Sequence, residues 1–149
     1  LRSLLWVIDT RLNNWQDVIV LLRKTGYELF SHPGVEFEFE STGNQLHCTP
    51  PSPKIRHTLY QIYREGLINI NKHANATRVT ASLHFGKNMV ILILKDNGVG
   101  FNPKHVNLES YGLSNMNRRV AEHGGKAIIK SIKGKESQII VKLPLDDIK

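Results

Sequence analysis

A chain of 149 residues can bury one hydrophobic core without disulfides or metals, and its 40% hydrophobic and 22% charged residues are ordinary for a soluble globular protein. The single cysteine, Cys48, excludes a disulfide framework, and no apolar run reaches the roughly 20 residues of a membrane span. The net charge of +7 is uneven: residues 1–74 hold eight Lys/Arg and seven Asp/Glu, whereas residues 75–149 hold twelve and six. A basic half suits nucleic acid, anionic lipid or a phosphate-rich ligand.

The apolar spacing of the first segment predicts a helix. Steps of four and three residues give a heptad seam over Leu1, Leu5, Ile8, Leu12, Trp15, Ile19 and Leu22. A dimerising helix and an amphipathic helix packed on its own domain explain this spacing equally well. Asn14, with Asp17 three residues later, is a candidate N-cap. Because the chain begins with Leu1 rather than Met, we expect it to be part of a longer protein.

Alternation and turn residues predict the next elements. The stretch VEFEFEST places Val35, Phe37 and Phe39 on one face of a strand. Gly43-Asn44 then predicts a hairpin turn into a second strand over 45–49.

A long helix is predicted over about 53–74, because Ser52 can cap it and Pro53 suits its first turn. Its apolar face holds Ile55, Leu59, Ile62, Gly66 or Leu67, and Ile70. After it we expect strands over 77–85 and 89–96, a helix over 112–123, and strands over 126–132 and 137–143.

The long helix also carries a polar stripe, since Glu65, Asn69, Lys72 and His73 are spaced three or four residues apart. A solvated face explains this stripe when the helix is considered alone. Gly66 needs another reason, because a glycine inside a helix costs about 1 kcal/mol relative to alanine. Close approach of another backbone or of a ligand would supply that reason.

The strand over 89–96 ends in Asp96, and glycines follow at positions 98 and 100. A carboxylate at a strand end is a good acceptor for an exocyclic amine, and glycines let the backbone approach a flat ring. Gly112 opens the next helix, whose free N–H groups suit phosphate. With the polar stripe, this set fits a nucleotide with Mg²⁺. The sequence has no P-loop, no GxGxxG before a helix and no HExxH, and glycines at 98 and 100 exclude an EF-hand.

Three motifs in this order resemble those of the ATP-binding domain of sensor histidine kinases, within the wider superfamily of gyrase, heat-shock chaperone and mismatch-repair ATPases. The N box is REGLININKHA, the first glycine box DNGVGF and the second YGLSNMNRRV. The GL-x-x-M form and the closing HGGK are similar to the subfamily paired with DNA-binding response regulators. LLWVID near the start resembles the end of a dimerisation helix.

The resemblance implies a two-layer α/β sandwich of the Bergerat type, a mixed sheet packed on helices, preceded by an N-terminal helical segment. Residues 1–32 would be the end of the dimerisation helix and a linker helix, and 33–149 the ATP-binding catalytic domain. The implied enzyme is a protein histidine kinase. It moves the γ-phosphoryl group of ATP to a histidine upstream of this fragment, then to a response-regulator aspartate. Without that histidine, the fragment would be inactive alone.

Partners and location follow from the same resemblance. We expect a response regulator and a homodimer formed through upstream helices, with no nucleic acid and no direct membrane contact by this fragment. The location implied is cytoplasmic, as the end of a larger receptor.

By position in the motifs, Asn69 would coordinate Mg²⁺, and Glu65 would be the catalytic residue at the metal and phosphate end. Lys72 would meet phosphate, His73 would lie near adenine or ribose, and Asp96 would accept a hydrogen bond from the adenine amino group. The implied ligand-binding set is Asn69, Lys72, His73, Asp96, Gly98, Gly100, Phe101, Gly112, Leu113 and Ser137.

The remaining members of that set surround a loop. Residues 101–111 would form a mobile lid over the base, with Gly112-Leu113 as its hinge to phosphate. Ser137 stands near the place where the family usually has a threonine, and Gly66 replaces a usual alanine. Arg118 or Arg119 would touch phosphate or form a structural salt bridge.

Two other functions remain open. A related ATPase or serine kinase of the anti-sigma type would need no upstream histidine helix, and the heptad seam and LLWVID argue against it. A non-catalytic module, either a pseudokinase or a basic nucleic-acid binder, would explain the charge of the second half. The basic residues are not interleaved with aromatic stacking platforms, so nucleic acid ranks last.

Overall fold

A computed structural model describes residues 14–99, 113–131 and 135–145, with residues 113 and 114 described by their backbone alone. The described helices are α1 (Trp15–Leu29), α2 (Pro53–His73) and α3 (Leu113–Ala121), with a 3-10 turn at Gln45–His47. The strands are β1 (Glu36–Gly43), β2 (Arg78–Phe85), β3 (Met89–Asp96), β4 (Lys126–Ser131) and β5 (Ser137–Pro144). Where an element was predicted and lies in these ranges, its ends agree within two residues, apart from the strand expected over 45–49.

The five strands form one sheet in the order β1-β2-β3-β5-β4. β1 pairs with β2 in parallel, and the other neighbours are antiparallel. Alternate residues of β2 and β3 are buried on one face, where they join the helices in a single core. The predicted α/β sandwich with a mixed sheet is therefore confirmed. Within the described ranges, no helix combines the length and hydropathy that crossing a membrane requires.

The predicted hairpin at Gly43-Asn44 is wrong. Gly43 does adopt a left-handed backbone, with φ of 85°. The Asn44 side chain, however, accepts a hydrogen bond of 3.0 Å from Leu46 N and caps the 3-10 turn. β1 finds its partner in β2, beyond α2, because a crossover helix can join parallel strands whereas a hairpin cannot.

Helix α1 belongs to the same core as the sheet. Asn14 caps it by accepting a hydrogen bond of 2.9 Å from Asp17 N, as predicted. Trp15, Ile19 and Leu22 are buried in the common core. For these residues the spacing is that of an amphipathic helix packed on its own domain. The seam positions before residue 14 lie outside the described residues, and the division of the chain at residue 32 stays a prediction.

Helix α2 begins at Pro53, where the Ser52 hydroxyl accepts a hydrogen bond of 3.2 Å from Ile55 N. The predicted apolar face is buried: Ile55, Leu59, Ile62, Gly66, Leu67 and Ile70. A Cβ at Gly66 would overlap Cδ1 of Leu94 on β3. Gly66 therefore serves the close packing of α2 on the central strand, and a ligand is not needed to explain it.

Replacing Gly66 with valine should lower the free energy of unfolding by about 1–3 kcal/mol, because the added carbons overpack the contact with Leu94. Urea unfolding followed by circular dichroism measures this change. The double variant Gly66→Val/Leu94→Ala is the control, since it removes the overlapping group. Its loss should be smaller than the sum of the single losses. Strict additivity would contradict the assigned contact.

Candidate functional site

Asp96 is a buried carboxylate at the end of the strand in the middle of the sheet. Leu92, Leu94 and Asp96 alternate on one face of β3, so the carboxylate points toward the helix layer. Its Oδ1 accepts a hydrogen bond of 2.9 Å from Gly98 N, and its Oδ2 accepts one of 2.5 Å from the Ser137 hydroxyl. Each carboxylate oxygen has two acceptor positions, so Asp96 retains capacity for a further donor such as an amine.

The turn after Asp96 lies against the end of α2. Val99 N donates a hydrogen bond of 2.8 Å to the carbonyl oxygen of Ala74, the residue that caps α2. A Cβ on Gly98 would overlap that carbonyl group. The close contact between Gly98 and the Ala74 carbonyl group therefore requires glycine at position 98, with or without a bound ligand.

The predicted polar stripe lies along the edge of the buried face of α2, because Asn69 is three residues from Gly66 and seven from Ile62. Glu65 and Asn69 are half-buried, whereas Lys72 and His73 are exposed. His73 is the last residue of the helix and precedes Ala74, which the turn after Asp96 contacts. The structure thus brings the acid at the strand end and the basic end of the stripe to one corner of the domain.

Arg119 of α3 joins this corner through an ion pair. Its Nη1 donates a hydrogen bond of 2.9 Å to Gln61 Oε1 and lies 3.9 Å from Glu65 Oε2. Of the two alternatives predicted for the arginines, Arg119 forms the salt bridge, and Arg118 is exposed. Because both charged side chains are about one third exposed, the pair orients Glu65 more than it stabilises the fold.

Ser137 lies directly across from Asp96 in the pairing of β3 with β5. The resemblance implies that this hydroxyl lies near adenine, and the structure places it on the Asp96 carboxylate. Whether the hydroxyl also reaches a base stays a prediction. Gly100, Phe101, Gly112 and the predicted lid over 101–111 lie outside the described residues, as does the side chain of Leu113.

The donor set around α2 suits Mg²⁺ held together with phosphates rather than a metal held by protein alone. In the described part of the chain, no group of three or more His, Cys, Asp and Glu residues could hold a metal ion. Asn69 supplies an amide oxygen and Glu65 a carboxylate one helical turn away. Mg²⁺ commonly takes one or two such protein oxygens and completes its shell with water and substrate phosphates.

No sequence pattern predicts the contacts of Asn97. Its Oδ1 accepts hydrogen bonds from Thr77 N at 2.9 Å and Arg78 N at 2.8 Å. Its Nδ2 donates to Thr77 Oγ1 at 2.9 Å. An asparagine beside a glycine does predict a turn, but its partners lie some 20 residues earlier and no local pattern identifies them.

The fold and site define a two-layer α/β domain, with a buried acid and the polar stripe of α2 at one corner. This arrangement is expected of a nucleotide-binding domain. The chain belongs to the family of histidine kinase-, DNA gyrase B- and HSP90-like ATPases, whose family model matches residues 55–147. The resemblance found in the three motifs is thereby confirmed. ATP use follows from membership of this ATPase family.

Among curated relatives, the chain is 38% identical to the sensor histidine kinase LiaS of Bacillus subtilis over 97 residues. It is also 38% identical to the sensor protein VraS of Staphylococcus haemolyticus over 88 residues. These matches cover 65% and 59% of this chain but only 27% and 25% of the relatives. The chain therefore spans about a quarter of their length and is homologous to that part of sensor histidine kinases.

Solved structures of low sequence identity share the fold. The catalytic domain of histidine kinase ThkA matches with a TM-score of 0.68 at 16% identity, over 89% of this chain and 92% of that chain. The histidine kinase AdeS of Acinetobacter baumannii matches with a TM-score of 0.70 at 17% identity, over 98% and 75%.

Replacing Ser137 with alanine should lower the free energy of unfolding by about 1.5–3 kcal/mol, because a buried carboxylate oxygen loses its protein donor. Urea unfolding at neutral pH measures the effect. Ser137→Thr keeps the hydroxyl on a strand that tolerates threonine well and should remain close to the wild type. Equal stability of Ser137→Ala and wild type would show that the hydroxyl does not support Asp96.

Proposed function

We propose that this chain is the ATP-binding catalytic part of a two-component sensor histidine kinase. The parent protein transfers the γ-phosphoryl group of ATP to a histidine upstream of these residues, and a response-regulator aspartate then receives it. The observation that supports this proposal most strongly is the buried Asp96 carboxylate. It accepts hydrogen bonds from the Gly98 amide and the Ser137 hydroxyl, and the turn that follows it contacts the end of α2. The family and its sensor-kinase relatives support the reaction class.

At the base end, Asp96 accepts a hydrogen bond from the exocyclic amine of adenine. The Gly98 amide and the Ser137 hydroxyl hold the two carboxylate oxygens, so the acceptor is oriented before ATP arrives. Preorganisation of this kind reduces the entropy lost on binding. A guanine base carries a carbonyl group in place of this amine, so Asp96 also selects the base.

At the phosphate end, α2 supplies the polar groups. The Asn69 amide oxygen and the Glu65 carboxylate are the oxygens that would hold Mg²⁺ or its water. Lys72 contacts phosphate and His73 lies near adenine or ribose, both at the exposed end of the helix. When bound, Mg²⁺ neutralises the negative charge of the phosphates. Catalysis on this view is mainly positioning and charge stabilisation.

We further propose roles for residues and partners beyond this corner. Gly98 and Gly100 give the first glycine box its close approach, Phe101 begins the lid over 101–111, and Gly112-Leu113 hinge it. Residues 1–32 are the end of the dimerisation helix and a linker helix, and 33–149 form the ATP-binding catalytic domain. The parent protein is a homodimer through its upstream helices, and this part is the cytoplasmic end of a larger receptor. Its partner is a response regulator.

Asp96→Asn should weaken binding of a non-hydrolysable ATP analogue by about tenfold to a hundredfold, because the adenine amine loses a hydrogen bond to a charged acceptor. The asparagine is isosteric and can still accept from Gly98 and bond to Ser137, so folding is preserved. Calorimetric titration measures the affinity.

The same titration with a GTP analogue should show weak binding to the wild type. Asp17→Asn, at the distant start of α1, is the matched control and should bind normally. Wild-type affinity in Asp96→Asn would overturn the base assignment.

Asn69→Ala should remove the gain in nucleotide affinity that Mg²⁺ provides, because the amide oxygen on the helix is lost. The measurement is a pair of calorimetric titrations with the ATP analogue, one with Mg²⁺ and one with EDTA. Asn71→Ala is the matched control, since Asn71 is an exposed amide on the same helix but off the polar stripe. A normal response of Asn69→Ala to Mg²⁺ would remove this residue from the metal site.

A further inference from the structure

Asn97 connects two segments that both carry parts of the proposed site. It lies between the adenine-binding Asp96 and Gly98, and each of its three side-chain hydrogen bonds goes to Thr77 or Arg78. Thr77 ends the link between α2 and β2, and Arg78 is the first residue of β2. The Asn97 main chain adds a fourth bond, since its N–H donates to the Arg78 carbonyl oxygen at 3.2 Å.

The Asn97 bonds act together with the one from Val99. On one side of the turn, Asn97 fastens it to Thr77 and Arg78. On the other side, Val99 N fastens it to Ala74 at the end of α2. The segment from 96 to 99 is thus held at two points along the connection from α2 to β2. The position of Asp96 relative to the polar stripe depends on both attachments.

Most of the hydrogen-bonding capacity of the Asn97 amide is used within the protein rather than by a ligand. Its oxygen already accepts from two backbone N–H groups and its nitrogen donates to a hydroxyl. Beyond these contacts, Asn97 lines a cleft near the start of β1 with Gly34, Val35 and Glu36. Glu36 N in turn donates to the Thr77 carbonyl oxygen at 2.9 Å, so the first strand is attached to the same link.

We propose that Asn97 is a positioning residue for nucleotide binding: it fixes the spacing between the base-binding acid and the phosphate-binding helix without touching the nucleotide. This inference rests on the proposed function. When the clamp is lost, the turn samples other positions, and the apparent dissociation constant rises in inverse proportion to the fraction of molecules that keep the competent one. The change falls on nucleotide affinity and not only on stability.

The test compares three variants of the 149-residue chain by calorimetric titration with a non-hydrolysable ATP analogue and Mg²⁺. Each is titrated well below its unfolding temperature. Asn97→Ala should raise the dissociation constant roughly tenfold, because three side-chain hydrogen bonds are lost. Asn97→Asp keeps both acceptor bonds, and the Thr77 hydroxyl can turn to donate to the carboxylate. Its dissociation constant should stay within about threefold of the wild type.

Asn117→Ala is the matched control for stability. The Asn117 amide oxygen accepts a hydrogen bond of 3.1 Å from Ala127 N and so ties α3 to β4, away from the turn. Its loss should lower the unfolding temperature but leave nucleotide affinity unchanged. A purely structural role for Asn97 would make both alanine variants behave alike.

Normal affinity in Asn97→Ala, or equal losses in Asn97→Ala and Asn117→Ala, would overturn the proposal. If Asn97→Ala does not fold, Asn97→Ser decides, because its shorter side chain cannot keep the bonds to both Thr77 N and Arg78 N. A dissociation constant unchanged in Asn97→Ser would then overturn the proposal, and an increase would support it. Failure of the proposed function itself looks different: the wild type would not bind the analogue, or Asp96→Asn would bind it as well as wild type does.

Discussion

A carboxylate can be buried in the middle of a sheet only if its oxygens are hydrogen-bonded, and Asp96 meets this constraint with two partners from different parts of the chain. The Ser137 hydroxyl comes from the neighbouring strand, and the Gly98 amide comes from the turn that follows. The Ser137 bond requires the present register of β3 with β5, whereas the Gly98 bond is local because Gly98 lies two residues after Asp96. The acid is therefore held rigidly at the end of the central strand, and the proposed recognition of an amine demands a rigid acceptor.

Helix α2 joins this acceptor to the proposed phosphate side of the site, because the helix packs on the sheet and also carries the polar stripe. The apolar face lies on the sheet, with Gly66 allowing close contact to Leu94, and this packing determines where the polar stripe lies. The end of the same helix receives the turn after Asp96 through Ala74. Packing and binding are thus linked, because a shift of α2 on the sheet would move Glu65 and Asn69 relative to the acid.

Much of this arrangement could be predicted from periodicity and motifs, since burial of the α2 face and the β3 alternation are local in the sequence. The pairing of β1 was not predictable in that way. Gly43-Asn44 has the composition of a hairpin turn, but the parallel partner lies beyond α2 and only tertiary packing selects it. Asn97 was missed for a similar reason, because its partners at 77 and 78 are distant in sequence. Ser137 was found through the resemblance, whereas its bond to Asp96 required the strand register.

The parallel pairing of β1 with β2 also bears on how the chain folds. The connection between these strands runs from residue 44 to 77 and contains all of α2. Closing such a long connection costs chain entropy before any β1–β2 hydrogen bond can form, so contacts of this range slow folding. Docking of α2 on β2 and β3 brings the end of β1 closer to β2 and so reduces the conformational search before the two strands pair. The helix that carries the polar stripe would then be in place before the edge strand completes the sheet, so the proposed binding corner would form ahead of the slowest strand pairing.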